Sequence, residues 1–157
     1  ISDRVIEPGE AVVVDIGGTM PDGYCSDSTR TYVVGEPDEE FLAAYEVLQA
    51  AQQAAVAVVR PGTTAEAVDA AARDLLTEAG YGQYFLHRTG HGIGLDGHEA
   101  PYLVAGNSLA LEPGMTFSIE PGFYIAGRHG ARIEDIVACT GDGVRRLNTI
   151  STDLVIL

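Results

Sequence analysis

The chain predicts an α+β fold in which a largely antiparallel sheet is covered by helices, and three observations carry that prediction. Near the start, two strand-like runs flank a Pro-Asp-Gly turn; two helical periods then follow in succession; the second half returns to short strands cut by glycine and proline.

In EPGEAVVVDIGG a turn feeds an apolar strand that reads as buried, with Asp15 ending the apolar run. GYCSDSTRTYVVG reads as its β-partner, with Thr-Met-Pro-Asp-Gly as the connecting turn, so antiparallel pairing is expected to bring Asp15 and Asp27 to one cation. Residues 37–59 turn helical, with Phe41, Leu42, Tyr45, Leu48, Ala51, Ala55 and Val59 recurring at roughly the 3.6-residue helical period. Pro61 and Gly62 stop that helix. A second is expected to start at Thr63, with Thr63 and Glu66 as a capping box, and to run through Leu75 and Leu76 to Gly80. Their alanine-rich faces permit close packing and carry no chemistry. HRTGHGIGLDGHEAP is glycine-punctuated loop or irregular strand, MTFSIEPGFYI and GARIEDIVACT are two further strands, and DLVIL is the last. No repeat or linker divides the chain, so residues 1–157 are read as one domain.

Composition bounds the function. The chain has 157 residues, 46% of them hydrophobic, which is enough to bury a substantial core. A net charge of −14 argues against nucleic acid, whose phosphates require clustered Lys and Arg. The apolar stretches are too short to span a bilayer, so no membrane partner is expected. Two cysteines, Cys25 and Cys139, form no metal-finger spacing and fit a reducing compartment, which points to the cytoplasm.

Five residues of metal-holding type, Asp15, Asp27, His91, Glu120 and Glu134, sit at the edges of apolar or glycine-rich segments. Asp15, Glu120 and Glu134 interrupt or end apolar runs and are expected to point inward, where an ionised carboxylate is costly unless it is paired or coordinates a cation. Four carboxylates and one imidazole predict two metals. Three of them have a plainer reading: Asp15 as a turn former, Asp27 as the ion-pair partner of Arg30, His91 as a structural histidine whose flanking glycines permit unusual dihedrals. His98 and Glu99 make a polar loop that packing does not explain. Arg132 shares a face with Glu134, either supporting a metal ligand or simply pairing with that acid. Cys25 alternates onto the face of Asp27, although a small buried hydrophobe is the favoured reading for it. Tyr102 and Phe123 could shape a pocket or be plain core, and receive no role. GHGIG lacks the spacing of a dinucleotide loop.

Taken together, VVVDIGG with GYCSDSTRT, FLHRTGHGIGLDGHEAP, GMTFSIEPGFY and GARIEDIV resemble, in order and nearly end to end, the catalytic part of the pita-bread metallopeptidases. RIED after SIEPG is closest to their Xaa-Pro dipeptidase and aminopeptidase branch; methionine aminopeptidases differ in the last motif, and a metal-free pita-bread binding module is disfavoured because no acidic ligand is lost. The resemblance implies metal ligation by Asp15, Asp27, His91, Glu120 and Glu134, with Asp27 and Glu134 bridging two divalent ions, Mn²⁺ or else Co²⁺ or Zn²⁺. It implies hydrolysis of a proline-containing dipeptide or peptide by a hydroxide shared between the ions. Glu120 would act as general acid/base, His98 with help from His87 would steady the oxyanion, and Arg132 would support the ligands. It further implies a first structural half preceding Ile1, and a homodimer for the full-length parent.

Overall fold

The computed structural model describes residues 3–157. Strands β1 (Ala11–Thr19) and β2 (Cys25–Val33) form the expected hairpin, in register Ala11↔Val33 through Thr19↔Cys25. Its turn is closed by the Gly23 N–H donating to the Met20 carbonyl at 2.8 Å, and Gly23 takes φ +93°, a value that glycine adopts without steric cost. Two expectations are corrected. The first strand continues four residues past Asp15, and it is largely exposed, because it is the outer strand of a three-stranded sheet ordered β1-β2-β10. Alternate residues on one face of this strand, Val14 and Ile16, are open to solvent.

Helix α1 (Glu39–Ala57) starts at Asp38, whose carboxylate accepts from the Phe41 N–H at 2.6 Å, while Glu39 and Glu40 in the first turn complement the helix dipole. The face formed by Phe41, Ala44, Tyr45, Leu48, Ala51 and Ala55 is buried, as the period predicts. Helix α2 (Ala65–Glu78) is capped by Thr64 rather than Thr63. Thr64 Oγ1 accepts from the Ala67 N–H at 3.3 Å, whereas Thr63 Oγ1 is drawn back to donate to the Val58 carbonyl at 2.8 Å. With the cap one residue later, Glu66 no longer occupies the capping-box position, and its N–H donates to the Asn107 carbonyl instead. Gly80, at φ +87°, ends the helix as expected. A short 3₁₀ turn at Gly82–Tyr84 follows.

Strands β3 (Gly90–Gly92), β4 (Glu99–Leu103), β5 (Thr116–Ile119), β8 (Asp135–Cys139) and β9 (Val144–Arg146) make an antiparallel sheet ordered β4-β3-β5-β8-β9. Strands β6 (Gly122–Tyr124) and β7 (Gly130–Arg132) pair separately, and β10 (Val155–Ile156) runs parallel to β2. Thus MTFSIEPGFYI and GARIEDIVACT are each two strands, broken at Glu120–Pro121 and at Ile133–Glu134. Proline explains the first break, since it cannot donate to a ladder. At the second, Glu134 leaves its own sheet to bridge to Thr29 on β2, which ties the two sheets together.

The core lies between the helices and the sheets. Ala51, Ala55, Val68, Ala72 and Leu76 meet Leu103, Phe117, Ile119 and Val137 in one cluster, and Phe41, Tyr45 and Leu48 meet Val33, Phe123, Ala131 and Ile133 in another. The small alanine side chains let the two helices approach each other closely over the strand bearing Ser118 and leading to Glu120. Among the described residues no helix is long and apolar enough to cross a membrane, and both cysteines are free.

Candidate metal centre

Asp15, Asp27 and His91 lie within strands β1, β2 and β3, whereas Glu120 and Glu134 lie at strand breaks. Asp15 lies opposite Thr29 and Asp27 opposite Gly17, so the two carboxylates are diagonal neighbours on one face of the hairpin. A Cβ at Gly17 would stand 3.4 Å from Asp27 Oδ1 and 2.6 Å from the Ser26 carbonyl, so glycine there leaves room for the carboxylate. Burial first, and repulsion from Asp15 second, push the Asp27 carboxyl above its usual range. Asp15 itself is not aimed at the interior: its side chain is 50% exposed and pairs with Arg132 Nη2 at 2.5 Å. Its place on the outer strand accounts for that exposure.

His91 is fixed from both sides. The glycines around it are needed not for unusual dihedrals, since neither has a positive φ, but for close approach. A Cβ at Gly90 would come within 1.9 Å of the Ser118 carbonyl, and one at Gly92 within 2.2 Å of the Ala100 carbonyl. The imidazole is buried, and Nδ1–H donates to the Gly92 carbonyl at 3.1 Å, which leaves Nε2 as the free lone pair. That nitrogen lies 3.3 Å from Glu120 Oε1 and 4.0 Å from Asp27 Oδ2. Burial lowers the His91 pKa, which favours the neutral ring, the form in which imidazole binds metal.

Glu120 directly follows β5 and accepts from Ser118 Oγ at 3.0 Å; the same hydroxyl accepts from the His91 N–H. Burial raises its pKa to about 7, against the pull of Ser118 and Arg132. Glu134 is 2% exposed, and its one side-chain hydrogen bond among the described residues comes from the neutral Thr29 hydroxyl at 2.7 Å. Burial, then Glu120, Asp27 and Asp15, raise its pKa to about 8. Arg132 does not pair with Glu134. Its guanidinium meets Asp15, the Tyr124 hydroxyl at 2.7 Å and Thr29 Oγ1 at 3.3 Å, with Glu120 Oε2 4.0 Å away.

One ligand atom from each of Asp27, His91 and Glu134 falls within 4.8 Å of the others. Glu120 adjoins this group through His91, and Asp15 adjoins it through Asp27 and Arg132. Mutually repelling, buried carboxylates beside a neutral imidazole lone pair are a donor set that fits divalent cations. The plainer reading of Asp27 fails, because Arg30 is engaged elsewhere: it donates to Asp135 Oδ1 at 2.6 Å and to the Glu134 carbonyl at 2.6 Å. Cys25 lies beside Thr19 and the Leu95 carbonyl, outside the metal-type group.

A cavity of about 630 Å³ opens beside these residues, lined by His87, Arg88, His98, Tyr102, Val104, Glu120 and Arg132. The His98 ring stands 3.8 Å from that of His91. His87 Nδ1–H donates to the Arg88 carbonyl at 2.8 Å; its Nε2 is buried without a partner among the described residues, and burial lowers its pKa. Phe123 is core, whereas Tyr102 is half-exposed on the cavity wall. Arg88 went unnoticed in the sequence; its position between His87 and the TGHGIG segment was the available signal.

The fold and the centre converge on one family. Residues 1–141 match the model for metallopeptidase family M24, and the chain belongs to that family. It is 61% identical to the probable dipeptidase PepE of Mycobacterium bovis over 99% of this chain and 42% of that protein. It is 52% identical to the Xaa-Pro dipeptidase of Lactobacillus helveticus over 98% of this chain and 42% of that protein. The structure matches that of dipeptidase PepE from Mycobacterium ulcerans with a TM-score of 0.97 and 59% identity, covering 99% of this chain and 42% of the other. The expected α+β pita-bread architecture is therefore present, and the chain spans 42% of the length of these relatives.

Proposed function

We propose that the protein carrying this chain is a dinuclear metallopeptidase that hydrolyses the bond between an N-terminal residue and proline in dipeptides or short peptides. The observation that carries this reading is the convergence of Asp27, His91 and Glu134 to within 4.8 Å, from segments separated in the sequence. Similarity to an Xaa-Pro dipeptidase favours proline over the methionine-aminopeptidase alternative. Asp15, Asp27, His91, Glu120 and Glu134 would hold two divalent ions, with Mn²⁺ preferred over Co²⁺ or Zn²⁺. When bound, such ions supply Lewis-acid polarisation of the scissile carbonyl and an activated water.

The side chains around them supply positioning and proton transfer. Glu120, on the cavity wall with Oε1 3.3 Å from His91 Nε2, is placed to take a proton from water and release it to the leaving nitrogen. A bond to proline has no N–H for a peptidase to hold, so the leaving nitrogen depends on that delivered proton. His98, beside His91 on the cavity wall, is placed to steady the oxyanion. His87, with its proton on Nδ1, presents Nε2 as an acceptor, which suits a substrate N–H better than an oxyanion. Arg132 holds Asp15 and Tyr124 in place and so fixes the outer rim of the centre. Residues 1–157 thus form the metal-bearing part of a single catalytic domain whose other half lies elsewhere in a cytoplasmic, homodimeric parent.

The test is metal content by elemental analysis of the desalted protein after manganese loading, with turnover of Ala-Pro and Met-Ala peptides. Near two ions per chain and cleavage of Ala-Pro are expected, both lost in Asp27→Ala and in Glu134→Ala. Full turnover in either variant, or in chelator, would sink the reading.

A further inference from the structure

The cavity beside the metal-type residues is acidic at one end and, among the described residues, carries one cation without an ion-pair partner at the other. Of its two arginines, Arg132 is spent on Asp15, Tyr124 and Thr29. Arg88 is different: among the described residues its guanidinium has no hydrogen-bond or ion-pair partner. It lies instead over the ring of Tyr102, 4.7 Å from the centroid. Tyr102 pairs with His91 across β3 and β4, so the ring that braces Arg88 stands on the same face as the metal-type imidazole. A guanidinium held over an aromatic face by its carbon keeps N–H donors free for a partner, and the guanidinium fork matches a carboxylate bidentately.

We propose that Arg88, braced by Tyr102, binds the C-terminal carboxylate of a dipeptide substrate and so selects dipeptides over longer peptides. This rests on the peptidase reading above, and it assigns to that site the feature separating a dipeptidase from an aminopeptidase. In a dipeptide the carboxylate is one residue from the scissile carbonyl, so a cation in the same cavity as Glu120 is where such a group would be met. A longer peptide places a neutral amide there and leaves the guanidinium without its counter-charge. Tyr102 then serves as a positioning residue, since it touches Arg88 and orients it.

The experiment measures calorimetric binding of a non-cleavable Ala-Pro isostere, in which the scissile carbonyl is reduced to CH₂, against its C-terminal amide on the manganese-loaded full-length protein. The acid is expected to bind about ten- to a hundredfold more tightly, the usual size of a charge-assisted contact. In Arg88→Gln that ratio is expected to fall to about one, with Arg88→Lys restoring part of it. The same variant should raise KM for Ala-Pro while leaving kcat within a few-fold. Because the guanidinium makes no hydrogen bond or ion pair among the described residues and touches the fold through Tyr102 alone, the thermal midpoint of Arg88→Gln should stay close to that of the unmodified protein. An acid-to-amide ratio near one in the unmodified protein, or a ratio that survives in Arg88→Gln, overturns the proposal. Arg88-dependent discrimination without any cleavage of Ala-Pro would uphold it and overturn the hydrolytic reading instead.

Discussion

Glu134 shows how far one side chain's environment can be pushed when it is reserved for a cation. It is buried, receives one neutral hydrogen bond, and faces three other acids, so its pKa is raised to about 8. A carboxyl whose folded pKa lies above its unfolded value is no burden while protonated in both states, below about pH 4.5. Above that pH the unfolded chain ionises first, and stability falls until the folded group also ionises near pH 8. Metal-free protein is therefore expected to unfold at lower temperature at pH 8 than at pH 5. Glu134→Gln should flatten that slope, and thermal scans in chelator check it. With metal present the sign reverses, because cations bind the ionised ligands and their affinity should rise with pH through the same window. Arg30 teaches a related lesson. Its nearness to Asp27 in sequence offered an ion pair, yet its side chain crosses to Asp135 and to the Thr29 and Glu134 carbonyls. Replacing it with Met should leave the buried Asp135 to Arg146 and Gln52 and remove the bonds Arg30 gives to the Thr29 and Glu134 carbonyls, at a cost of about 1–3 kcal/mol by chemical denaturation, the usual size of hydrogen bonds to a charged group.

At the scale of elements, the glycines around His91 decide whether the imidazole can reach the centre at all. Gly90→Ala would put a methyl group into the Ser118 backbone, so β3 and β5 must separate. Because that backbone cannot simply rotate away, a loss of about 1–3 kcal/mol is expected, together with weaker manganese binding, read by denaturation and by metal titration. Helix α1 acts from behind the sheet. Leu48 is fully buried between Phe41, Phe123 and Ile133, and Leu48→Ala should cost about 2–5 kcal/mol through lost burial and the residual cavity. The helices were legible because a 3.6-residue period and a Pro-Gly stop are local signals. The cap of α2 was less so. Thr63 and Thr64 are equivalent by type, and only the pull of the Val58 carbonyl on Thr63 assigns the cap to its neighbour.

Across the whole molecule, three sheets and two helices among the described residues bring together candidate ligands that lie within strands, Asp15, Asp27 and His91, and at strand breaks, Glu120 and Glu134. Pro121 ends one strand at Glu120, and the Thr29↔Glu134 bridge fastens the hairpin to the large sheet where Glu134 must face Asp27. Since that junction holds the repelling acids together, manganese at a hundred times its dissociation constant should raise stability by about 2.7 kcal/mol per site, measured as a higher thermal midpoint than in chelator. Asp27→Ala should lose that response. What the sequence determined alone was local: strand and helix identity, the turns, and the residue types with metal-holding chemistry, because periodicity and side-chain chemistry act over a few neighbours. Only the tertiary structure decided that Asp15 is a half-exposed partner of Arg132, that Glu134 bridges to Thr29 between two strands, and that Arg88 lies over Tyr102 with no ion-pair partner among the described residues. Those outcomes depend on which side chains long-range packing brings into contact, and spacing along a chain does not encode charge neighbours that meet across sheets.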